Sequence, residues 1–175
     1  MKKFWLYTAA AVVAMIAGVV VQQTVQTPAA PTAANPPQLA FAYPDVDGKL
    51  QDVEQWRGKI MVVNFWASWC GPCLKEIPEF IALQNEYGAK NVQFIGIAIE
   101  DREPVVEYLQ RVKVNYPVLV AGDAGSGLAR QWGNIINAVP FTVIVNPQGQ
   151  IVHRQPGELS RQQFIEHVQP LLESK

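Results

Sequence analysis

The chain has 175 residues, enough for one domain of ordinary size and a short additional segment. Apolar residues make up 49% of it and charged residues 17%, a balance that argues against a largely disordered protein. The formal net charge is -1 and there is no long basic stretch, so nucleic acid is excluded as an expected partner.

An uncharged apolar segment follows Lys2 and Lys3 and covers residues 4–21. As a helix it would extend about 27 Å, close to the ~30 Å hydrocarbon core of a bilayer. It is longer than the apolar part of most cleavable signals, so we predict an uncleaved anchor; a cleaved signal or a buried helix are the alternatives. Both lysines precede the segment and no charge follows before Asp45, which predicts a cytoplasmic N-terminus and an extracytoplasmic, for instance periplasmic, remainder.

Residues 27–37 are rich in proline and alanine. Prolines disfavour regular helix and sheet and favour an extended spacer. We therefore predict three parts of the chain: a membrane anchor or signal at 1–26, a linker at 27–37, and a folded domain at 38–175.

Strands and helices alternate along the predicted domain. Residues 39–43 and 50–53 predict a hairpin with Gly48 in its turn, and the apolar run 60–66 predicts a strand covered on both faces. The remaining predicted strands are 92–99, 118–120, 141–145 and 151–154, and the predicted helices are 74–87 with a kink at Pro78 and an end at Gly88, 104–114, 126–132, and 160–172 with Ser160 as N-cap and a last turn disturbed by Pro170. This order predicts an α/β domain with a mixed central sheet flanked by helices.

Cys70 and Cys73 stand where the predicted strand 60–66 gives way to a helix. Unpaired N–H groups and the helix dipole stabilise an anion there, so Cys70 is expected to be an exposed attacking thiolate and Cys73 the resolving thiol one turn inward. The alternatives are a zinc site and two inert core cysteines. Zinc needs about four ligands, and we expect His153 and His167 to be isolated. The spacing therefore favours a redox pair.

A family resemblance rests on the stretch 63–73, Val-Asn-Phe-Trp-Ala-Ser-Trp-Cys-Gly-Pro-Cys, which is similar to the active-site strand and turn of thioredoxins. Together with Lys-Glu-Ile-Pro at 75–78, Val-Pro-Phe-Thr at 139–142 and the apolar leader, it resembles the TlpA/ResA-like branch of that superfamily over residues 38–175. The resemblance implies a thioredoxin-like fold with an N-terminal hairpin extension. It also implies a membrane-tethered thiol-disulfide oxidoreductase whose only redox centre is the cysteine pair, with no cofactor and no metal.

The same resemblance implies that Pro140 is a cis proline facing the disulfide; an ordinary turn proline is the alternative. A proline without an N–H beside the sulfurs blocks metal capture, and Val139 offers backbone groups to an extended substrate segment. The residues that flank the attacking cysteine complete the predicted substrate-binding surface: Trp69, Gly71 and Pro72. Phe141 stands where relatives often have a small or polar residue, which predicts a more apolar substrate groove.

Glu76 is the predicted proton carrier for Cys73. Thioredoxins usually have a buried aspartate where this chain has Asn64, and an amide does not titrate in the working pH range. Glu76 matches the acidic residue that the ResA-like branch places after its second cysteine. Three residues beyond Cys73 on a helix, it would lie about one turn from that thiol. A solvated glutamate on the helix surface is the alternative.

These features predict an extracytoplasmic protein-disulfide reductase that accepts electrons from a membrane thiol reductase and passes them to a client disulfide. The Gly-Pro pair between the cysteines resembles that of reducing thioredoxins. The family implies clients such as apocytochrome c or copper-site proteins. One alternative is a peroxiredoxin-related peroxidase, although the lone peroxidatic cysteine is missing. Another is a non-catalytic chaperone or binding module.

Three weaker patterns are predicted to be structural. The glycine-rich residues 122–127 lack the Lys-Ser/Thr ending of a phosphate loop, which favours a connection between a strand and a helix. The charged residues 100–103 predict a solvated loop. Three tryptophans are expected to pack in or beside the core: Trp56, Trp66 and Trp132.

Overall fold

The computed structural model describes residues 39–173, so the predicted anchor and linker lie outside the described residues. Within 39–173, no helix is both long enough and apolar enough to cross a bilayer. The strands are β1 (Ala42–Pro44), β2 (Leu50–Asp52), β3 (Ile60–Trp66), β4 (Val92–Ala98), β5 (Val118–Val120), β6 (Phe141–Val145) and β7 (Ile151–Pro156). The helices are α1 (Gly71–Tyr87), α2 (Arg102–Arg111), α3 (Gly122–Gln131) and α4 (Arg161–Glu173), with short 3-10 turns at Val53–Trp56 and Gly88–Lys90.

Five strands form one mixed sheet in the order β5-β4-β3-β6-β7. Strands β3, β4 and β5 are parallel, whereas β6 is antiparallel to β3 and β7 is antiparallel to β6. Every residue of β3 is buried, because the strand has a neighbour on each side and cover on both faces. The predicted α/β class, mixed sheet and doubly covered strand are confirmed.

Side chains along β3 alternate between two apolar layers. Phe65 packs edge-on against Trp132, with ring centroids 5.7 Å apart, in a cluster that also holds Met61 and Val63. Val62 packs on the opposite face with Phe80 of α1, beside Ile60 and Phe164. The alternation places Asn64, two residues after Val62, on the α1 side of the sheet. The polar side chain of the central strand therefore faces the helix that begins at the cysteines.

The predicted N-terminal hairpin extension is confirmed as a separate sheet of β1 and β2, paired antiparallel. Gly48 takes the left-handed conformation (φ 83°) that its turn requires. The carboxylate of Asp45 accepts hydrogen bonds from the backbone N–H groups of Asp47 and Lys49, and its backbone forms an isolated bridge with Leu119 of β5. The hairpin is thus joined to the edge of the main sheet.

Helix α1 begins earlier than predicted and ends at the predicted residue, Tyr87. It begins at Gly71, directly after Cys70, and runs without a break through Pro78. Gly88 follows it in a right-handed conformation, and the chain continues through a 3-10 turn to Asn91, which is left-handed (φ 69°). The predicted end of α1 at Gly88 is therefore confirmed, and the short 3-10 turn that follows it ends at Asn91.

Helix α3 begins four positions earlier than predicted, so the glycine-rich segment is its first turns rather than a connection. At Gly125 an added Cβ would lie 2.9 Å from the Cβ of Ala121 and 3.3 Å from Ile97 of β4, so the missing side chain lets the helix pack closely on the sheet. Helix α2 likewise begins at Arg102. In α4 the predicted N-cap is confirmed, because the Ser160 hydroxyl accepts a hydrogen bond from the N–H of Gln163.

Candidate active site

Cys70 and Cys73 form a disulfide with an S–S distance of 2.08 Å. Cys70 is the N-cap of α1, and its Sγ accepts a hydrogen bond of 3.3 Å from the backbone N–H of Cys73. The predicted junction of buried strand and helix is confirmed. An anionic sulfur at this position would receive the same N–H bond and the positive end of the helix dipole.

Neither cysteine is openly exposed, which corrects the prediction of an exposed Cys70. Cys70 is 5% exposed and Cys73 fully buried, so Cys70 is the more accessible of the two. Its Sγ lies 3.5 Å from the carbonyl oxygen of Val139, in the segment that leads into β6. The residues around it are open to solvent: Trp69, which is 68% exposed, Gly71 and Pro72. A reacting sulfur therefore has access to Cys70 but not to Cys73.

The Val139–Pro140 peptide bond is cis, as predicted. Pro140 is buried, and its carbonyl oxygen accepts a hydrogen bond of 2.9 Å from the N–H of Gly157. Val139 is half-buried, and within residues 39–173 its N–H has no hydrogen-bond partner. A backbone donor is thus available beside Cys70.

Phe141 does not line a groove, so the prediction of a more apolar substrate groove is wrong. The residue belongs to β6, and its ring lies in the core with its centroid 6.0 Å from that of Phe65. Side chains alternate along the strand, and this position points to the same buried cluster as Val143.

Glu76 is buried, with only 4% of its surface exposed, which rules out the solvated alternative. Its Oε1 accepts a hydrogen bond of 2.7 Å from the side-chain amide of Asn64, and its Oε2 accepts one of 2.9 Å from the backbone N–H of Leu159. The same amide donates to Oγ1 of Thr142 at 3.0 Å. Asn64, Glu76 and Thr142 form what we call the buried polar cluster.

Burial raises the pKa of Glu76 to about 7, because the charged carboxylate loses contact with water. The hydrogen bonds from Leu159 and Asn64 favour the charged form and offset part of this effect, while the charge of Glu158 raises the pKa further. A carboxyl group with this pKa accepts and returns a proton near neutral pH. It lies one helical turn from Cys73, a spacing at which Cβ atoms are about 5–6 Å apart.

A contact that the sequence analysis missed connects Ser68 to Glu100. The Glu100 carboxylate accepts hydrogen bonds from the backbone N–H and, at 3.0 Å, from the hydroxyl of Ser68, two residues before Cys70. The prediction of a solvated loop at 100–103 is therefore wrong: Glu100 is half-buried, and Arg102 and Glu103 belong to α2. Parallel strands end at the same edge of a sheet, and polar residues just after β3 and β4 were the available signal.

A sequence model of the Redoxin family matches residues 27–168. The chain belongs to the Redoxin family. The thiol:disulfide interchange protein HelX of Rhodobacter capsulatus is 33% identical over 135 residues, which cover 77% of this chain and 70% of that protein. The thiol-disulfide oxidoreductase ResA of Halalkalibacterium halodurans is 28% identical over 134 residues, covering 74% of each. The TlpA/ResA-like resemblance is thereby confirmed.

Solved structures agree with this assignment. A thiol:disulfide interchange protein of the thioredoxin family from Chlorobium tepidum superimposes with a TM-score of 0.71 and 28% identity, covering 80% of this chain and 98% of that one. This Redoxin-family protein is thus a thioredoxin-fold thiol-disulfide oxidoreductase, with Cys70 and Cys73 as its redox-active pair. The chemistry of such enzymes runs on the cysteine pair without a further cofactor.

The Redoxin domain also has a loop before Pro140 that exposes two large apolar side chains. Ile135 and Ile136 are 86% and 69% exposed. The Asn134 side chain closes the loop, because its amide donates to the carbonyl of Ala138 at 2.8 Å and its oxygen accepts from the N–H of Ala138. Two isoleucines between two asparagines are the signal that the sequence offers for this loop.

The two histidines are not isolated, which corrects that prediction. The rings of His153 on β7 and His167 on α4 stack with centroids 3.6 Å apart. Over residues 39–173, no group of three or more metal-ligating side chains is gathered that could hold an ion. The three tryptophans are buried, as predicted: Trp56, Trp66 and Trp132.

Proposed function

We propose that this protein is a membrane-tethered, extracytoplasmic reductase of protein disulfides. The observation that carries the proposal is the pairing of an accessible sulfur, Cys70, with a buried sulfur, Cys73, one turn from a carboxyl group whose pKa is about 7. The accessible sulfur of Cys70 suits attack on a partner disulfide, and the buried sulfur of Cys73 suits formation of the intramolecular Cys70–Cys73 disulfide.

In the first step, the thiolate of reduced Cys70 attacks one sulfur of a client disulfide. A mixed disulfide forms, and the other client sulfur leaves as a thiolate. The helix N-terminus and the N–H of Cys73 stabilise the attacking anion. The N–H of Val139, which has no partner within residues 39–173, pairs with the client backbone beside the reacting sulfur. Trp69, Gly71, Pro72 and the cis Pro140 form the rest of the surface that receives the client.

In the second step, the thiol of Cys73 gives its proton to the carboxylate of Glu76. The Cys73 thiolate attacks Cys70 Sγ, the intramolecular disulfide forms, and the client's second sulfur leaves as a thiolate. The client has gained two electrons and the enzyme has lost two. A membrane thiol reductase restores the dithiol by the reverse exchange, in which Glu76 returns the proton.

The reducing direction is supported by the Gly-Pro pair between the cysteines. This pair occurs in thioredoxin, whose potential is about -270 mV, against about -120 mV for a strong oxidase. The family resemblance supports clients such as apocytochrome c or proteins with copper sites.

The direction is tested by equilibrating the protein with glutathione buffers and measuring the fraction of Cys70–Cys73 disulfide. We expect a potential near that of thioredoxin, together with reduction of insulin and of disulfide-bonded apocytochrome c. Cys70→Ser serves as the inactive control. A potential above about -150 mV would indicate an oxidase instead. Peroxide turnover without protein-disulfide reduction would indicate a peroxidase, and activity equal to that of Cys70→Ser would indicate a binding module.

The membrane tether rests on the uncharged segment at 4–21 and the proline-rich linker after it. We expect the full-length protein to sediment with membranes and to be digested by protease added from the extracytoplasmic side. A chain that begins near Gln38 is expected to be soluble and to keep its redox activity. A mature N-terminus near Asn35 would replace the anchor with a cleaved signal and leave the reductase proposal in place.

A further inference from the structure

The loop at residues 133–138 exposes two large apolar side chains in a fixed position. Asn134 is buried, and its side chain bonds both backbone groups of Ala138. Asn137 adopts a left-handed conformation (φ 51°), and its N–H donates to the carbonyl of Asn134 at 3.1 Å. These bonds close the loop, and Ile135 and Ile136 remain in solvent at its tip. Apolar side chains in water do not stabilise the free protein, because no apolar surface is buried.

The loop lies close to Cys70 along the chain, and this position indicates which partner can cover the loop. Cys70 Sγ lies 3.5 Å from the carbonyl of Val139, and Ile136 is only three residues before Val139, at most about 11 Å along an extended chain. A protein partner typically covers about 800 Å² of each surface, a patch about 30 Å across. A client of this size joined to Cys70 in a mixed disulfide therefore extends far enough to cover this loop.

The chemistry of the surface selects the occupant. Residues 133–140 and residues 69–73 contain no charged side chain, and charged groups lie at their border: the exposed Arg154 against Gly133, and Glu100, which bonds Ser68. Exposed apolar groups here are Trp69, Ile135 and Ile136. Resting on the proposed function, we propose that Ile135 and Ile136 are specificity-determining contacts that bind an apolar segment of the client polypeptide next to its disulfide.

The test compares a protein disulfide with a small one in single-turnover reactions of the pre-reduced full-length protein. The probes are insulin and 5,5′-dithiobis(2-nitrobenzoate), because only the first is large enough to reach the loop. In the double variant Ile135→Ser/Ile136→Ser, the ratio of the insulin rate to the small-disulfide rate is expected to fall about 10- to 100-fold. The conservative Ile135→Leu/Ile136→Leu variant is expected to restore most of it. Val152→Ser, an exposed apolar residue on β7, is the matched control and should leave the ratio unchanged.

Three outcomes would overturn the inference. An unchanged ratio in the serine variant would show that the isoleucines take no part in client choice. An equal fall with both probes would show that the loop only supports Cys70. Dimerisation of the reduced wild-type protein in analytical ultracentrifugation, absent in the serine variant, would make a second copy of this chain the occupant. Failure of the wild-type protein to reduce either probe would instead contradict the proposed reductase function.

Discussion

The two sulfurs of the active site face opposite kinds of surroundings. On the inner side, Cys73 is fully buried and lies one turn from Glu76, whose carboxyl is held by Asn64 and by the backbone of Leu159. On the outer side, Cys70 lies beneath a surface whose exposed apolar side chains include Trp69, Ile135 and Ile136. In the proposed mechanism, proton transfer therefore takes place where water is excluded, and client contact takes place where a partner can reach Cys70.

The two sides also differ in how their side chains affect the stability of the folded protein. A buried carboxylate is unfavourable unless its oxygens are hydrogen-bonded, and both oxygens of Glu76 are. The outer side needs no such hydrogen bonds. An exposed isoleucine destabilises the free protein little, and covering it with a partner releases favourable free energy of apolar burial. Variants of the inner side should therefore change the resolving step, and variants of the outer side should change partner choice.

The largest expected effect separates the two cysteines. Cys73→Ser should accumulate mixed disulfides with client proteins through Cys70, because attack proceeds and resolution does not. Cys70→Ser should trap far less, since its remaining sulfur is fully buried. Non-reducing gels of both variants after acid quenching provide the measurement. Equal trapping would mean that attacker and resolver have been assigned wrongly.

The second prediction concerns the inner side alone. Glu76→Gln keeps the shape of the side chain and removes its titration, so resolution of a mixed disulfide should slow by roughly 100-fold, the lower range for general acid-base catalysis. Attack by Cys70 should change much less, because the helix terminus activates that thiol. The two half-reactions are measured separately by stopped flow between about pH 5 and 9. An unchanged resolution rate and pH profile would remove Glu76 from the mechanism.

The inner side was partly predictable from the sequence. The buried strand, the helix N-terminus and the roles implied for Cys73 and Glu76 follow from local pattern and resemblance. The partners of the Glu76 carboxylate do not, because one of them is the backbone N–H of Leu159, 83 residues later in the chain. Strand β6 likewise brings Thr142 to Asn64 only when the sheet is assembled.

The outer side was predicted less well, for a different physical reason. The family resemblance assigned Phe141 to a groove, although strand β6 turns that ring into the core. Hydrophobic pattern indicates which residues can be buried. It gave no reason to expect Ile135 in solvent, since isoleucine is usually buried. The His153 and His167 stack depends on how α4 lies across β7, which no local pattern specifies.

A third prediction uses the pH dependence of stability. Glu76 has a pKa of about 7 in the folded protein, raised from 4.5. Below pH 4.5 the carboxyl is protonated in both states; between 4.5 and 7 the folded state binds more protons, so its free energy of unfolding falls as pH rises. The integrated loss is about 3 kcal/mol from a shift of this size.

Urea unfolding of the oxidised protein at several pH values measures this loss. The comparison is with Glu76→Gln, which should lack this part of the decline and be relatively more stable above pH 7. Parallel stability curves for the two proteins between pH 4.5 and 7 would contradict the raised pKa.

The smallest expected effect concerns the charge of Glu100 and its influence on the Cys70 thiol. The Glu100 carboxylate bonds Ser68, two residues before Cys70, so a negative charge lies near the attacking sulfur. Such a charge disfavours the Cys70 thiolate and hence the reduced state. Glu100→Gln keeps an acceptor for the Ser68 N–H and removes the charge. Its Cys70 thiol should have a lower pKa than in the wild-type protein, and its reduction potential should rise by about 10 mV, because one pKa unit corresponds to at most ~30 mV in a two-electron couple.

Ser68→Ala removes a hydrogen bond without changing charge and is the matched control, with no expected shift. Potentials are measured against glutathione with all three proteins in one series. A fall in potential, or equal shifts in both variants, would show that Glu100 acts on the loop only through its hydrogen bonds and that its charge has no part in setting the reactivity of Cys70.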